Sequence, residues 1–185
     1  MKNIFFDLKK LKHLGKNAII GKTVRIRYPE LVSIGDDCVI DDFTYISTSL
    51  ELKNNIHISA GCKFIGGRDS LVTIDQYSAI APGAVLAAGS NDFTGGIATP
   101  FVLKELKADA QIGSIHIGRH CIVGSNTVVL PNVIFGEGAT VGALSLVKGD
   151  LKPWVLYAGI PVKKIRDRNK EQVLKFEKIL KAKKK

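Results

Sequence analysis

The stretch that decides the fold is "IHIGRHCIVGSNTVVLPNVIFGEGATVGALSLV", residues 115–147, in which Ile117, Val123, Val129, Phe135, Val141 and Val147 recur every six residues. Followed towards the N-terminus, the same rhythm runs through Leu86, Ile80 and Ile74, then Phe64, Ile58, Leu52, Ile46, Ile40 and Ile34, then Ile26 and Ile20. That makes seventeen hexads with three interruptions: two extra residues after Ile26, four after Phe64 and a long break after Leu86. A fixed period over most of a chain is the signature of a repeat architecture.

The other hexad positions define the unit. The residue after the aliphatic is often Gly, Ala or Asp (Gly21, Gly35, Asp41, Asp75, Ala81, Gly118, Gly124, Gly136, Gly142). The fourth position is rich in Asp, Asn and Gly (Asp37, Asn55, Gly61, Gly83, Gly89, Asn126, Asn132, Gly138, Asp150), residues that tolerate a left-handed backbone. The fifth is small: Cys38, Thr44, Cys62, Ser78, Ala84, Cys121, Thr127, Ala139, Ser145. A short strand and a tight turn every six residues make the chain wind. The aliphatic and the small fifth residue, two apart on one strand, point inward, and the residue between them points out. Each coil then covers its neighbour's core, as in a solenoid. The three cysteines all hold the inward small position, which makes them core residues and not ligands, disulfide partners or nucleophiles.

At 185 residues and 45% hydrophobic, the chain is sized for one domain. It shows no apolar run long enough for a signal peptide or a transmembrane segment, which predicts a cytoplasmic protein. Of the net charge of +10, +8 lies between Lys163 and Lys185. The basicity therefore belongs to a tail. It fits a solvated helix face, with weak contact to a membrane surface as the alternative and no nucleic-acid partner. "NKEQVLKFEKILKAKKK" (169–185) reads as a helix with Val173, Phe176 and Leu180 on one side and Ile179 beside them, packed on the solenoid or capping its end. The expected organisation is an N-terminal segment (1–16), a β-helix (17–152) with a loop excursion (87–116), and a C-terminal extension with a basic helix (153–185).

Four segments carry a resemblance: "NIHISAGCKFIGG" (55–67), "VTIDQYSAIAPGAVLAAGSNDFTGG" (72–96), the 115–147 stretch and "PWVLYAGIPVKKIR" (153–166). Together they resemble the hexapeptide-repeat acyltransferases, in particular their sugar and polysaccharide O-acetyltransferase branch. The resemblance implies a left-handed parallel β-helix, a triangular prism with three hexads per turn and hence five to six coils. Counted in threes, the three interruptions fall at one corner. The resemblance also implies a homotrimer with acetyl-CoA in the groove between prisms and a loop from one subunit closing the acceptor site. The excursion is the candidate loop, its alternative a surface insertion used in subunit packing.

Carried over residue by residue, the resemblance places the backbone of Gly124 and Ser125 at the thioester carbonyl. Gly142 and Ala143 meet the pantetheine amides, Gly159, Ile160 and Pro161 lie around the adenine, and Lys148, Lys163, Lys164 and Arg166 lie near the phosphates, although the usual "TKD" reads "KGD" at 148–150. Trp154 stacks on adenine or packs under the helix. Where the galactoside enzymes have their catalytic histidine, "VLAAGSND" (85–92) has Asn91, with Asp92 beside it. Acetyl transfer to a hydroxyl needs a proton acceptor. Asp92 would serve if burial raised its pKa; otherwise Asn91 orients the acceptor and deprotonation falls elsewhere. His57 and His116 each precede an inward aliphatic and so point out, which makes them the other candidates. His120 sits in the left-handed fourth position and His13 in the N-terminal segment. A zinc site like that of the γ-type carbonic anhydrases is the metal alternative. It is disfavoured because His116 and His120 diverge around a corner, and no metal is expected. The reading is an acetyl-CoA-dependent O-acetyltransferase acting on a sugar or nucleotide-sugar acceptor, with no acyl-enzyme. N-acetylation of an amino sugar and a silent scaffold are the alternatives.

Overall fold

In the computed structural model, which describes residues 3–99 and 102–183, all seventeen hexad aliphatics are buried, none more than 5% exposed. The nine small fifth-position residues are buried with them. Ser78 and Thr127 donate across to a neighbouring coil, Ser78 Oγ to the Gly118 carbonyl at 2.9 Å and Thr127 Oγ1 to that of Gly142 at 2.9 Å, while Ser145 Oγ donates within its own coil to the Ala143 carbonyl at 3.2 Å. An inward hydroxyl is thus paired, as a buried polar group must be. Cys38, Cys62 and Cys121 are buried free thiols, and burial pushes the Cys62 thiol up to about 11 and that of Cys121 to about 12, so both stay protonated and inert.

The chain is a left-handed parallel β-helix of about seven turns followed by one helix, α1 (Lys170–Lys183). The first face stacks His13–Leu14, Val32–Ile34, residues 50–52, residues 71–74, Ser114–Ile117 and Val133–Phe135, closed by a bridge from Phe135 to Leu151. The second face stacks Ile19–Ile20, Val39–Ile40, His57–Ile58, Ala79–Ile80, Ile122–Val123, Thr140–Val141 and Val155–Gly159, to which Val162–Asp167 adds antiparallel. The third face runs from Arg25–Ile26 through residues 45–47, 63–65 and Val85–Ala87 to Val128–Val129 and Leu146–Val147.

This is more than the five to six coils expected. The added first-face rung, His13–Leu14, lies inside the expected N-terminal segment. Leu14 stands six residues before Ile20 and in register with the inward Ile34, so the hexad series extends one step beyond the seventeen; on the end coil it is left 40% exposed. The turn position behaves as read at Asp37, Asn55, Gly61, Gly83, His120, Asn126, Asn132 and Gly138, all with positive φ. Gly89 and Asp150 are not among the positive-φ residues: Gly89 pairs with Ile112 at the base of the excursion, and Asp150 accepts the Ile134 N–H at 2.8 Å. The three interruptions do share one corner, between the third face and the first. The long one leaves after Val85–Ala87, is tied at its base by the antiparallel pair Gly89–Ser90 with Gln111–Ile112, and returns at Ser114. Pro100 and Phe101 of this excursion, and Lys184 and Lys185 of the tail, lie outside the described residues.

The C-terminal helix docks by a different face from the one its apolar residues suggested. Phe176, Ile179 and Leu180 are 57%, 44% and 41% exposed, whereas Glu177 is buried and Val173 and Leu174 are half-buried. The contact is ionic: Glu177 meets His120 and Arg119 of the prism. Trp154 lies in this same junction, 6.1 Å from the His120 ring and under the cations of Arg168 and Lys170. Among the described residues no helix is long and apolar enough to cross a membrane.

Candidate active site

The loop carboxylate comes first, because the sequence asked most of it. Asp92 accepts from the Thr94 hydroxyl at 2.7 Å, the Thr94 N–H at 2.8 Å and the Gly95 N–H at 3.0 Å. The Thr94 hydroxyl and N–H, joined by the amides of Gly95 and Asp109, hold the Asp92 carboxyl below the usual carboxylate range. The condition set for Asp92 as a base, a pKa raised by burial, is therefore not met. An acceptor-only group with several donors aimed at it is stabilised in its charged form. Asn91 is exposed beside it.

His57 and His116 do point outward, and each has a carboxylate partner. His57 Nε2 lies 2.8 Å from Asp41 Oδ2, and His116 Nε2 lies 2.9 Å from Asp75 Oδ2. The two pairs share one geometry. In each, the Asp follows an inward aliphatic, and the His stands two residues before the residue stacked on that Asp in the next coil. Such a partner fixes the imidazole orientation, as a base requires. His120 is buried, stacked on Tyr77 at 5.3 Å and bonded to Glu177 at 2.9 Å, so its work is to hold the helix.

The corner between the second and third faces gathers the residues carried over for the acyl donor. Gly124 and Gly142 stack there with Ala158 above them, and the Gly159 N–H next to it donates to Ser145 Oγ at 3.0 Å. A Cβ on Gly124 would stand 2.5 Å from the Ala143 nitrogen, so only glycine lets these coils approach. The Gly124 and Gly142 amides are spent on neighbouring coils, at 2.8 Å to the Val141 and Tyr157 carbonyls. The Ser125 and Ala143 amides have no partner among the described residues and are the available donors. Lys148 lies instead at the corner between the third and first faces, where with Tyr157 and Pro161 it lines a groove of about 310 Å³ at the last coil. Arg166 lines another of about 520 Å³ on the second face, with Ile122, Thr140 and Leu156. Lys163 and Lys164 are exposed on the added antiparallel strand, with Lys164 2.7 Å from Asp167, and Ile160 is 74% exposed at the tip.

Within one chain these pieces do not converge. His57–Asp41 lies on the donor corner, two rungs and ~10 Å below Gly124. Asp92 projects from the corner between the third and first faces, and His116–Asp75 sits at the far edge of the first.

No protein-family model matches the chain. It is 32% identical over 173 residues to the dTDP-4-amino-4,6-dideoxy-D-glucose acyltransferase of Escherichia coli, covering 92% of this chain and 88% of the relative. The chain is a hexapeptide-repeat acyltransferase. The galactoside O-acetyltransferase of E. coli K12 is 27% identical over 80% of this chain and 70% of its own. Among solved structures, AntD, an N-acyltransferase from Bacillus cereus in complex with dTDP and 3-hydroxybutyryl-CoA, superposes with a TM-score of 0.88 at 29% identity, covering 99% of this chain and 100% of that one. As an acyltransferase, the chain presents a free-amide edge and a loop carboxylate at different corners of one prism.

Proposed function

We propose that this acyltransferase moves an acetyl group from acetyl-CoA to the amine of a nucleotide-linked amino sugar, the second of the two acceptor classes that the sequence leaves open. The observation that carries the choice is Asp92. A carboxylate held ionised is a poor base for a hydroxyl but accepts the N–H groups of an amine and orients it, and a neutral amine needs no base to become nucleophilic. The relatives that match over nearly the whole chain agree: one is named for a dTDP-amino sugar, and AntD is an N-acyltransferase crystallised with dTDP. Sugar O-acetylation keeps the support of the galactoside enzyme and of a specific feature, the His57–Asp41 and His116–Asp75 pairs, which are bases of the kind a hydroxyl acceptor needs.

In this reading the neutral amine attacks the thioester carbonyl directly, the C–S bond breaks, and coenzyme A leaves as a thiolate that takes up the proton the nitrogen gives off. No acyl-enzyme forms, because the three cysteines are buried and protonated. The Ser125 amide, and Ala143's above it, receive the developing oxyanion and the pantetheine arm. Lys148, Lys163, Lys164 and Arg166 meet the phosphates of coenzyme A, with Gly159, Ile160 and Pro161 at its adenine. The separation of Asp92 from the donor corner favours a homotrimer in which one subunit's loop faces its neighbour's free-amide edge, in the cytoplasm where acetyl-CoA is made.

The test is acetyl-CoA turnover with dTDP-4-amino-4,6-dideoxyglucose against a simple galactoside. Amide product from the first and none from the second is expected; ester formation on the galactoside alone would return the assignment to O-acetylation. Replacing Lys163 and Lys164 together with alanine is expected to weaken coenzyme A binding about 5-fold, since exposed charges contribute about 1 kcal/mol or less. Unchanged affinity in a calorimetric titration would remove that placement.

A further inference from the structure

Two of the prism's three corners are taken. The free-amide donor edge lies between the second and third faces, and the excursion leaves between the third and the first. The remaining corner, between the first and second faces, carries α1 (Lys170–Lys183). Glu177 meets Arg119 and His120 on that corner, and Arg168 donates to the His120 and Gly138 carbonyls just before the helix begins. In the homotrimer proposed above, where one subunit's loop corner faces its neighbour's donor corner, this third corner is the one turned outward.

The helix is fixed there by its polar side. At 3.6 residues per turn, Phe176, Ile179 and Leu180 form a stripe about 100° wide. All three are exposed, while Glu177 is buried. A docked helix ordinarily buries its apolar stripe and exposes its charges, and α1 does the reverse. The surroundings of the stripe are cationic. Lys175 borders it beside Ile179, and Lys183 continues it by one turn. Among the described residues the lysine ion pairs of this region are those of Lys164 with Asp167 and Lys181 with Glu177, so Lys175, Lys178 and Lys183 keep unpaired ammonium groups. Glu171, the other acid of the helix, lies away from the stripe.

An apolar stripe edged by unpaired lysines fits an anionic bilayer. The apolar side chains enter the acyl boundary, and the ammonium groups stay with the headgroups. Other partners fit less well. Every cation of α1 is a lysine, whereas specific protein interfaces favour arginine and are poor in lysine. Residues 163–185 carry a net charge of +8, so the same stripe on a second copy would be repelled. At 14 residues the helix is about 21 Å long, too short for a hydrocarbon core of about 30 Å, so it suits a surface and not a span.

We infer that the outer stripe of α1 docks the enzyme on an anionic membrane surface, with Phe176, Ile179 and Leu180 inserted and Lys175, Lys178 and Lys183 at the headgroups. The Glu177 contact holds the helix to the prism while its outer flank engages, whichever acceptor is acetylated.

The test is sedimentation of the full chain with vesicles of phosphatidylcholine and phosphatidylglycerol in equal parts, and with vesicles of phosphatidylcholine alone. The wild-type chain is expected to bind the mixed vesicles about 10-fold or more tighter than the neutral ones, and less tightly as salt is raised. Phe176→Gln, and separately the pair Lys175→Gln and Lys178→Gln, should each weaken binding to mixed vesicles about 10-fold. Coenzyme A affinity should be unchanged in both, which shows that the prism is folded. A wild-type chain that binds coenzyme A but not the mixed vesicles overturns the membrane contact and leaves the acyltransferase reading standing. Wild-type vesicle affinity in either variant also overturns it. Self-association beyond a trimer that Phe176→Gln abolishes would give the stripe to a second copy, and would overturn it too.

Discussion

Asp92→Asn is expected to lower acetyl-transfer turnover about 10²-fold, the upper range for loss of one charge-assisted contact orienting the acceptor amine, while changing acetyl-CoA affinity less than about 2-fold. The substitution is close to isosteric. One oxygen can still accept the Thr94 N–H and hydroxyl, which both go to Oδ1, and what disappears is the charge and the Gly95 contact at Oδ2. A loss in turnover therefore reports the charge more than the loop. The pH dependence sharpens the distinction. Asp92's pKa is depressed, so the carboxylate is already ionised above the ordinary carboxylate range and stays so as pH falls into it. Between about pH 5 and 8 the rates of the wild type and of the substituted chain should thus run parallel, separated by a constant factor. If the two profiles converge at low pH, Asp92 titrates in the working range and serves as a base, the role assigned by the hydroxyl reading. Near-normal turnover would leave it only as a brace for the loop.

The repeat was legible because every inward position obeys one rule. The aliphatics and the small residues that follow them are buried together, and no local exception occurs between Ile20 and Val147. The corner of the interruptions could be counted for the same reason. Where the rule lapses, the sequence misled. The rung His13–Leu14 is passed over although Leu14 keeps the spacing of six and stacks on Ile34, because the end coil leaves it 40% exposed and residues 9–13 before it carry none of the other repeat residues. Phe43, Tyr77, Leu144 and Trp154 take positive φ although their side chains do not favour it, because the coil below already sets the corner. Both His–Asp pairs were available to arithmetic: a constant offset from the stacked residue puts His57 over Asp41 and His116 over Asp75. Asp92's depressed pKa was not available, since it depends on how the loop folds back on Thr94, Gly95 and Asp109. Nor was the contact of Arg68 with Tyr28, because the two are 40 residues apart and meet only when one uninserted coil lies between two bulges.

Glu177→Ala is expected to weaken docking of α1 by about 3 kcal/mol, the scale for removing one partner of a buried ion pair. The helix has little else to hold it, because its largest apolar side chains face solvent. Of the ion pairs at Glu177, those to Lys181 at 2.6 Å and Arg119 at 3.1 Å involve partners 57% and 32% exposed and contribute little. The contact that matters is His120 Nε2 to Oε2 at 2.9 Å, with both side chains at least nine-tenths buried. Without the carboxylate, His120 would keep its stacking on Tyr77 but lose its polar partner on the helix. Amide exchange across residues 170–183 should then accelerate about 10²-fold, with the prism strands as protected as before. Unchanged protection would show that Arg168, which donates to the His120 and Gly138 carbonyls, holds the junction unaided. Acid should do to the wild-type chain what the substitution does at neutral pH. Burial pushes the Glu177 carboxyl up, but hydrogen bonds from Lys181 and His120 and the charges of Arg119 and Lys181 outweigh it and hold the carboxyl below its ordinary value. A group whose folded pKa is depressed stabilises above its unfolded value, about 4.3, and loses that contribution as pH falls through the folded one. The helix should therefore undock below about pH 4 before the uncharged, aliphatic interior of the prism responds.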